Sequence, residues 1–232
     1  MTGKLRVSLA MASLNEQEAI GPMIDEARRH AGDLDLEIVL VDSSTDRTPE
    51  IAREKGARVI TQPKGGHGKA LRAAILACEG DVIVTSDCDC TYPMAMLPVF
   101  AKMVAHDGYD LVSGNRMHGV TWQSMPLANR AANMAFAGIV RGLYGLAVHD
   151  VTTGMFGMSR RLAQAIPWET NYAFPSEILI RAKLGHYKWV EVPIDYTQRV
   201  GEVTLNRWRS GKAYLRAFAK YRFNLPIPPE KL

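Results

Sequence analysis

The first ninety residues alternate between two hydrophobic periods, and this alternation limits the choice of fold more than any other feature of the chain. Short runs rich in Val, Ile and Leu, at residues 5–10, 36–41, 58–61 and 81–85, have the character of β-strands. Between them, in segments 19–27 and 70–77, apolar residues recur at helical spacing. Strands that alternate with helices predict an α/β fold: a Rossmann-like, mostly parallel central sheet with helices on both faces.

Polar side chains gather where the predicted strands end. In open sheets of this kind, ligands bind beyond the carboxyl ends of the strands. Those ends carry Ser13, Asn15, Glu16, Asp42, Ser43, Ser44, Asp87 and Asp89. The sequence therefore predicts one polar cleft at this edge of the sheet, built from three strands.

Asp87 and Asp89 come directly after the fourth predicted strand and are separated by one residue, Cys88. Two carboxylates so placed can bind one divalent cation, whose other coordination positions are filled by water and phosphate oxygens. Such a cation would neutralise a nucleotide diphosphate leaving group. A plain acidic turn is the alternative, because acidic residues are common in turns.

Two further loops have a structural and a functional interpretation. The glycine-rich turn at residues 65–69 lacks Walker A spacing but opens a helix, so Lys69 in its first turn can meet an anion or be solvated. At residues 45–48, Thr45, Asp46 or Thr48 can cap the helix that Pro49 begins. Asp42 is then not needed for capping, and we expect it to be free to accept from a base or ribose.

The regular alternation of predicted strands and helices ends after about residue 100. Residues 189–196 predict a further strand, and Pro193 indicates that this strand lies at an edge. The chain has no internal repeat and no low-complexity linker, so we expect the second half to elaborate the same domain as its acceptor side. His67, His149 and His186 are not paired with a carboxylate at useful spacing, which predicts structural or solvated roles.

The polar motifs, taken in order, resemble family 2 glycosyltransferases of the GT-A fold, in particular the dolichol-phosphate mannose synthase branch. The resemblance covers roughly residues 5–205. It rests on Ser-Leu-Asn-Glu (13–16), Val-Asp-Ser-Ser-Thr-Asp (41–46), Gly-Lys-Ala (68–70), Asp-Cys-Asp (87–89), Ser-Gly-Asn-Arg (113–116), Asp-Val-Thr-Thr-Gly (150–154), Phe-Pro-Ser-Glu (174–177) and Glu-Val-Pro-Ile (191–194) with Arg199 and Gly201.

The resemblance implies a metal-dependent, inverting transfer of a sugar from a nucleotide diphosphate sugar, of GDP-mannose or UDP-glucose type, to a polyprenyl or dolichyl phosphate at a membrane surface. A GT-A domain would span residues 1–206, with a nucleotide-sugar half at about 1–100 and an acceptor half at about 101–206. A basic amphipathic segment, 207–232, would follow. Transfer to a soluble acceptor and a non-catalytic nucleotide-sugar-binding protein are the alternatives.

The resemblance also implies roles for individual residues. The nucleotide-sugar pocket would be lined by Ser13, Asn15, Glu16, Asp42, Ser44, Lys69, Asp87, Cys88 and Asp89. Mg²⁺ or Mn²⁺ would be bound by Asp87, Asp89 and Thr91, although the family often has glutamine at this last position. The candidate catalytic residues are Asp89, Arg116, Glu177 and Arg199.

Among these, Arg116 and Arg199 would hold phosphates, since a guanidinium grips phosphate oxygens with two donors. A surface salt bridge is the alternative for either arginine. Glu177 would orient an acceptor or sugar hydroxyl. Downstream of Arg199 the family commonly shows Gly-x-Ser-Lys-Leu, whereas residues 201–205 of this chain read Gly-Glu-Val-Thr-Leu.

The positive charge of the chain is concentrated near its C-terminal end. Residues 207–222 contain six basic residues and no acid, interleaved with aromatic and aliphatic side chains. A helix of this composition can lie in a membrane interface with its aromatics at headgroup level. It can also pack an apolar stripe on the domain, or stack RNA bases, but no RNA-binding motif accompanies it and we expect no nucleic-acid partner.

The remaining features concern the compartment. Cys78, Cys88 and Cys90 suit neither a disulfide framework nor a zinc site and favour a reducing compartment. The N-terminal residues do not resemble a signal peptide, and the longest apolar stretch, 131–148, is interrupted by Arg141 and glycines. We expect a cytoplasmic protein, peripheral on the cytoplasmic face of a membrane, with or without a separate membrane-anchoring subunit.

Overall fold

A central sheet runs through both halves of the chain. The computed structural model describes residues 3–120, 124–200 and 207–225. The strands of these residues are β1 (Arg6–Ser13), β2 (Asp35–Asp42), β3 (Arg58–Thr61), β4 (Val82–Thr85), β5 (Leu111–Asn115), β6 (Phe156–Ser159) and β7 (Trp189–Pro193). They form one sheet in the order β3-β2-β1-β4-β6-β5-β7.

The strand directions confirm the predicted sheet. All neighbouring strands are parallel except where β6 lies antiparallel between β4 and β5. β7 pairs only with β5 and forms an edge, as Pro193 indicated. The four strands predicted in the first ninety residues are all present, and β3 has the predicted bounds.

The helices alternate with the strands through most of the chain. They are α1 (Ile20–His30), α2 (Thr48–Glu54), α3 (His67–Ala77), α4 (Met96–Ala105), α5 (Leu127–Tyr144), α6 (Arg160–Ala165), α7 (Phe174–Leu184) and α8 (Arg207–Phe223), with a short 3-10 helix at Arg116–His118. α2 carries Pro49 in its first turn, and Asp46 Oδ1 accepts from the backbone N–H of Thr48 at 3.0 Å. Asp46 therefore accepts from the first residue of α2, whereas the N-cap residue itself, Arg47, makes no side-chain cap hydrogen bond.

The period-two pattern of β1 divides the core between the two faces of the sheet. Val7, Leu9 and Met11 pack into the same hydrophobic cluster as the buried stripe of α1, which begins at Ile20. Ala10 and Ala12, which point the other way, belong to a second cluster that includes residues of α3, α5, α7 and α8. Helices therefore cover both faces, as predicted.

Helix α8 is part of the second cluster, and this corrects one expectation about its aromatics. Tyr214 and Phe218 are buried; the Tyr214 ring stacks on Phe136 of α5, and Tyr144 Oη donates to the Phe218 carbonyl at 2.6 Å. These two rings cannot lie at headgroup level because they hold α8 on the domain. The side chains of residues 207–209 lie outside the described part of the chain, as do residues 201–206 and 226–232.

The outward side of α8 keeps a basic and apolar character. Lys212, Leu215, Arg216, Arg222 and Phe223 are exposed. Among the described helices, none has both the length and the apolar character needed to cross a membrane.

Candidate active site

A cleft of about 990 Å³ opens beyond the carboxyl ends of β1, β2 and β3. Its walls come from residues 14–19, 43–46 and 61–64 and from Val200. This volume lies at the upper end of the range for small-molecule sites and accommodates a nucleotide. Asn15, Glu16 and Ser44, three of the residues predicted to bind the donor, line it.

The wall between β1 and β2 is organised by Asp42. Asp42 Oδ1 accepts from Ser13 Oγ and from Ser44 Oγ, both at 2.6 Å, and Oδ2 accepts from the Ser44 N–H at 3.1 Å. Ser44 Oγ in turn accepts from the N–H of Asn15 at 2.8 Å, and Asn15 has a left-handed backbone with φ 58°.

Asp42 is fully buried, so the expectation that it is free to accept from a base or ribose is wrong in this structure. Its carboxylate instead fixes the loops that carry Asn15 and Ser44. Ser13, whose hydroxyl donates to Asp42, is also buried. Asn15 and Ser44, in contrast, line the cleft.

Asp89 is the buried member of the acidic pair. Its Oδ1 accepts from the Thr91 hydroxyl at 2.6 Å and from the Thr91 N–H at 3.2 Å. Burial, followed by the nearby charge of Asp87, raises the pKa of Asp89. Thr91 is itself buried and directs its hydroxyl proton to Asp89, so it orients this carboxylate, and its direct binding of a metal stays a prediction.

Glu16, Asp87 and Asp89 form an acidic centre. Arg199 lies beside it and pairs with two of its carboxylates. One guanidinium nitrogen contacts Glu16, and Nη1 lies 3.3 Å from Asp89 Oδ2. The segment is held in place by backbone bonds from Val200 N to the Asp89 carbonyl at 3.0 Å and from Thr197 N to the Thr91 carbonyl at 3.1 Å. Arg199 thus reaches the predicted site, where it contacts carboxylates.

The pKa of Glu16 is raised to about 7, mainly by burial and to a smaller extent by the charges of Asp89 and Asp87, while the charge of Arg199 lowers it. Two carboxyl groups with raised pKa values, Glu16 and Asp89, thus lie near a third acidic side chain, Asp87. The guanidinium of Arg199 is the counter-cation of Glu16 and Asp89 in this structure. This crowding is an observation in favour of a cation-binding position.

Asp87 is partly exposed, and two neighbours shape its surroundings. A side chain at Gly154 would place its Cβ 3.1 Å from Asp87 Oδ2, so only glycine leaves this carboxylate its present room. His67 Nε2 lies 3.6 Å from Asp87 Oδ1. His149 likewise contacts Glu191, at 2.7 Å. The expectation that these two histidines have no carboxylate partner is wrong, because the fold joins residues far apart in sequence.

The donor set of the acidic centre fits a hard divalent cation. Within the described residues, no three His, Cys, Asp or Glu side chains converge as a complete metal site. Mg²⁺ is commonly bound through only one or two carboxylates, with water and phosphate oxygens completing its shell. Asp87 and Asp89 match that pattern.

Arg116, a predicted phosphate ligand, forms a buried ion pair. Its Nε and Nη2 donate to the two oxygens of Asp150 at 2.7 and 2.9 Å, and its backbone N–H donates to Asp150 Oδ2 at 3.1 Å. Nη2 also donates to Thr152 Oγ1 at 2.7 Å, and the guanidinium lies 5.0 Å from the Tyr196 ring centroid. Neither phosphate binding nor a surface salt bridge describes this residue, because it is only 6% exposed.

Glu177, the predicted contact for a hydroxyl group, is also buried. Its Oε2 accepts from the Thr170 N–H at 2.8 Å and hydroxyl at 2.6 Å, and its Oε1 accepts from the Glu169 N–H at 2.9 Å and Arg181 Nε at 3.0 Å. With no exposed surface, it cannot reach an acceptor. Its role in this structure is to hold residues 169–170.

Cys88 and Lys69 complete the predicted set. The Cys88 thiol is buried and donates to the Ala12 carbonyl at 3.4 Å, and burial raises its pKa well above the usual value. Its side chain packs beneath the acidic turn and cannot contact a nucleotide. Lys69 is exposed in the first turn of α3, as predicted, and its N–H donates to Asn171 Oδ1 at 3.2 Å.

The sheet topology is that of a known class, the glycosyltransferases of the GT-A fold. The solved structure of glucosyl-3-phosphoglycerate synthase from Mycobacterium tuberculosis, in complex with Mn²⁺, UDP and glucosyl-3-phosphoglycerate, has a TM-score of 0.76 to this chain. The likeness covers 97% of this chain and 82% of that one at 21% sequence identity. It shows the shared fold.

Within that class, the chain belongs to glycosyltransferase family 2, because the model described as Glycosyl transferase family 2 matches residues 8–166. The dolichyl-phosphate hexose transferase of Haloferax volcanii is 44% identical over 214 residues, which are 92% of each chain. The low-salt glycan biosynthesis hexosyltransferase Agl6 of the same organism is 34% identical over 90% of this chain and 52% of that protein. The chain is a glycosyltransferase, and the resemblance read from its motifs is confirmed.

Proposed function

We propose that this glycosyltransferase transfers a hexose from a nucleotide diphosphate sugar to a polyprenyl or dolichyl phosphate. The observation that carries the proposal is the 44% identity to a dolichyl-phosphate hexose transferase along 92% of both chains. The nucleotide-sized cleft beside an acidic centre supports a nucleotide sugar as donor. GDP-mannose and UDP-glucose are the donor types to test.

In the proposed reaction, an oxygen of the acceptor phosphate attacks the anomeric carbon and the bond to the donor's β-phosphate oxygen breaks. The nucleoside diphosphate leaves with that electron pair, and the configuration inverts. An acceptor phosphate is already an anion near neutral pH, so the step needs no strong general base. The burial of Glu177 agrees with such a mechanism.

Asp87 and Asp89 would hold Mg²⁺ or Mn²⁺, which supplies charge neutralisation for the leaving diphosphate. Mn²⁺ is present in the structural relative that binds UDP. Asn15 and Ser44 would hold the nucleoside at the cleft wall, and Lys69 would face the diphosphate from the first turn of α3. Arg199 would bind a phosphate once the cation has replaced it between the carboxylates.

The exposed side of α8 is the proposed membrane contact. Leu215 and Phe223 are 49% and 62% exposed, and Lys212, Arg216 and Arg222 lie on the same helix without an acidic neighbour on it. Cationic side chains on such a helix attract the anionic cytoplasmic leaflet. A separate anchoring subunit would add to this contact.

The proposal is tested by measuring hexose transfer from a panel of GDP and UDP sugars to a short polyprenyl phosphate in the presence of Mn²⁺. We expect a lipid-linked hexose with one donor, and none with the Asp89→Ala variant or with chelator. A parallel reaction with soluble sugars and 3-phosphoglycerate serves as control. Product only with a soluble acceptor refutes the lipid acceptor; donor binding without any product refutes the enzymatic proposal.

A further inference from the structure

The glycine-rich turn at residues 65–69 is shaped by one side chain from a distant part of the chain. Asn171 Oδ1 accepts from the Lys69 N–H at 3.2 Å, and Asn171 Nδ2 donates to the Gly65 carbonyl at 3.3 Å. Asn171 is 6% exposed. Its two amide atoms therefore bind both ends of the turn from within the protein.

The glycines of the turn are needed because Asn171 fills the space beside them. A Cβ on Gly66 would lie 1.8 Å from Asn171 Nδ2, and one on Gly68 would lie 2.3 Å from the Asn171 carbonyl oxygen. Gly66 also has φ 97°, which L residues rarely adopt. The turn and residue 171 are thus complementary in shape as well as in hydrogen bonding.

Asn171 is itself held by a buried anchor. The two residues before it, Glu169 and Thr170, donate their N–H groups to the Glu177 carboxylate. Glu177 is fully buried and paired with Arg181 at 3.0 Å. The position of Asn171 is therefore fixed by α7.

The turn in question reaches the acidic centre. It begins α3, whose first residue His67 lies 3.6 Å from Asp87, and Lys69 follows in the same helical turn. The backbone of these residues thus determines where two side chains with basic groups stand relative to Asp87. A shift of the turn would move both groups together.

We propose that Asn171 is a positioning residue for the donor diphosphate: it locks the turn so that Lys69 and the N-terminus of α3 face the phosphates. The inference rests on the proposed function in that it takes the donor to be a nucleotide diphosphate sugar. Asn171 acts through the turn, and Glu177 acts through Asn171. A variant that breaks the hydrogen bonds between Asn171 and the turn should therefore lower the affinity for the diphosphate more than the affinity for the nucleoside.

The test compares Asn171→Ala with Arg72→Ala by calorimetric titration. Arg72, on α3, donates to the Trp168 carbonyl at 2.7 Å, so its variant breaks a contact between the same two parts of the chain without touching the turn. UDP, UMP, GDP and GMP are titrated into each protein with Mn²⁺, and thermal unfolding confirms that both variants are folded. The measured quantity is the ratio of diphosphate to monophosphate affinity.

We expect Asn171→Ala to lower this ratio about tenfold, the effect typical of removing a residue that orients a binding group, with monophosphate affinity within about twofold of wild type. Arg72→Ala should leave the ratio unchanged. An unchanged ratio in Asn171→Ala, or an equal fall in both variants, overturns the inference.

The same titrations separate this inference from the proposed function. If the wild-type protein binds a nucleoside diphosphate but makes no lipid-linked hexose, the lipid acceptor is wrong while the role of Asn171 stands or falls on the ratio. If the wild-type protein binds neither UDP nor GDP, both are overturned.

Discussion

Replacing Asp150 by alanine removes the partner of a buried guanidinium. Arg116 directs its backbone N–H, Nε and Nη2 to the two carboxylate oxygens of Asp150, and Asp150 Oδ1 also accepts from the Thr152 N–H at 3.1 Å. The Arg116 side chain is 7% exposed and that of Asp150 has no exposure. The variant leaves a charge that water cannot reach.

Breaking a buried ion pair by removing one partner costs about 3–5 kcal/mol, because the remaining charge is uncompensated. We expect that range for Asp150→Ala, since the contacts that remain for the guanidinium are the Thr152 hydroxyl and the rings of Tyr196 and Tyr92. The exposed pair Lys55–Asp25, with side chains 39% and 54% exposed, provides the control. Lys55→Ala should cost less than about 1 kcal/mol.

The assay is urea unfolding at pH 7, followed by circular dichroism, for wild type, Asp150→Ala, Arg116→Ala and the double variant. The cycle should give a coupling energy of a few kcal/mol, because the two residues contact each other directly. The reasoning is refuted if Asp150→Ala loses less than about 1 kcal/mol. It is also refuted if Arg116→Ala keeps its stability but loses affinity for the acceptor, since Arg116 would then be a phosphate ligand as its motif suggested.

Further predictions concern the acidic centre and its supports. Asp89→Ala should abolish transfer with its circular dichroism spectrum unchanged; normal turnover of this variant with added Mn²⁺ would contradict the role. Thr91→Val should weaken Mn²⁺ binding at least tenfold, measured by electron paramagnetic resonance, because the carboxylate it orients loses a 2.6 Å hydrogen bond. Glu177→Gln should lower the unfolding free energy by roughly 1–3 kcal/mol through its buried network, and unchanged stability with lost transfer would restore a direct role. The raised pKa of Glu16, about 7, means that ionising it destabilises the folded protein, so stability from this group is present below about pH 4.5 and is lost as pH rises to 7. Glu16→Gln should therefore melt higher than wild type at pH 8 in the absence of metal, and the difference should vanish near pH 4.

Features that depend on local pattern could be predicted from the sequence. β3 has its predicted bounds because the run 58–61 is flanked by turn residues, and Asp87 and Asp89 meet at the strand end because one residue separates them. Asn15, Glu16 and Ser44 line the cleft because the carboxyl ends of adjacent parallel strands share one edge. Each of these inferences needs only neighbouring residues and the rule for parallel sheets.

The predictions of ligand contacts that the structure contradicts have a common physical cause. Arg116 lies 34 residues from Asp150, and Glu177 binds the backbone amides of the loop before it, so neither partnership is visible as a motif. A polar residue in a functional motif can face the ligand or hold the loop that does, and the sequence does not distinguish these. The contact between His67 and Asp87 was also not visible in the sequence, because it depends on where α3 begins.

The buried residues of the sequence motifs hold the loops of the site in place. Asp42 fixes the loops of Asn15 and Ser44, and Glu177 fixes the segment that shapes the glycine-rich turn. Asp150, paired with Arg116, begins the segment that brings Gly154 against Asp87. Loops at the edge of a sheet lack the support of a packed core, so a site built on them needs such internal anchors to keep its groups within bonding distance of a ligand. Charged residues without access to solvent can therefore be as necessary for donor binding as those that line the cleft, and their variants should lose affinity and stability together.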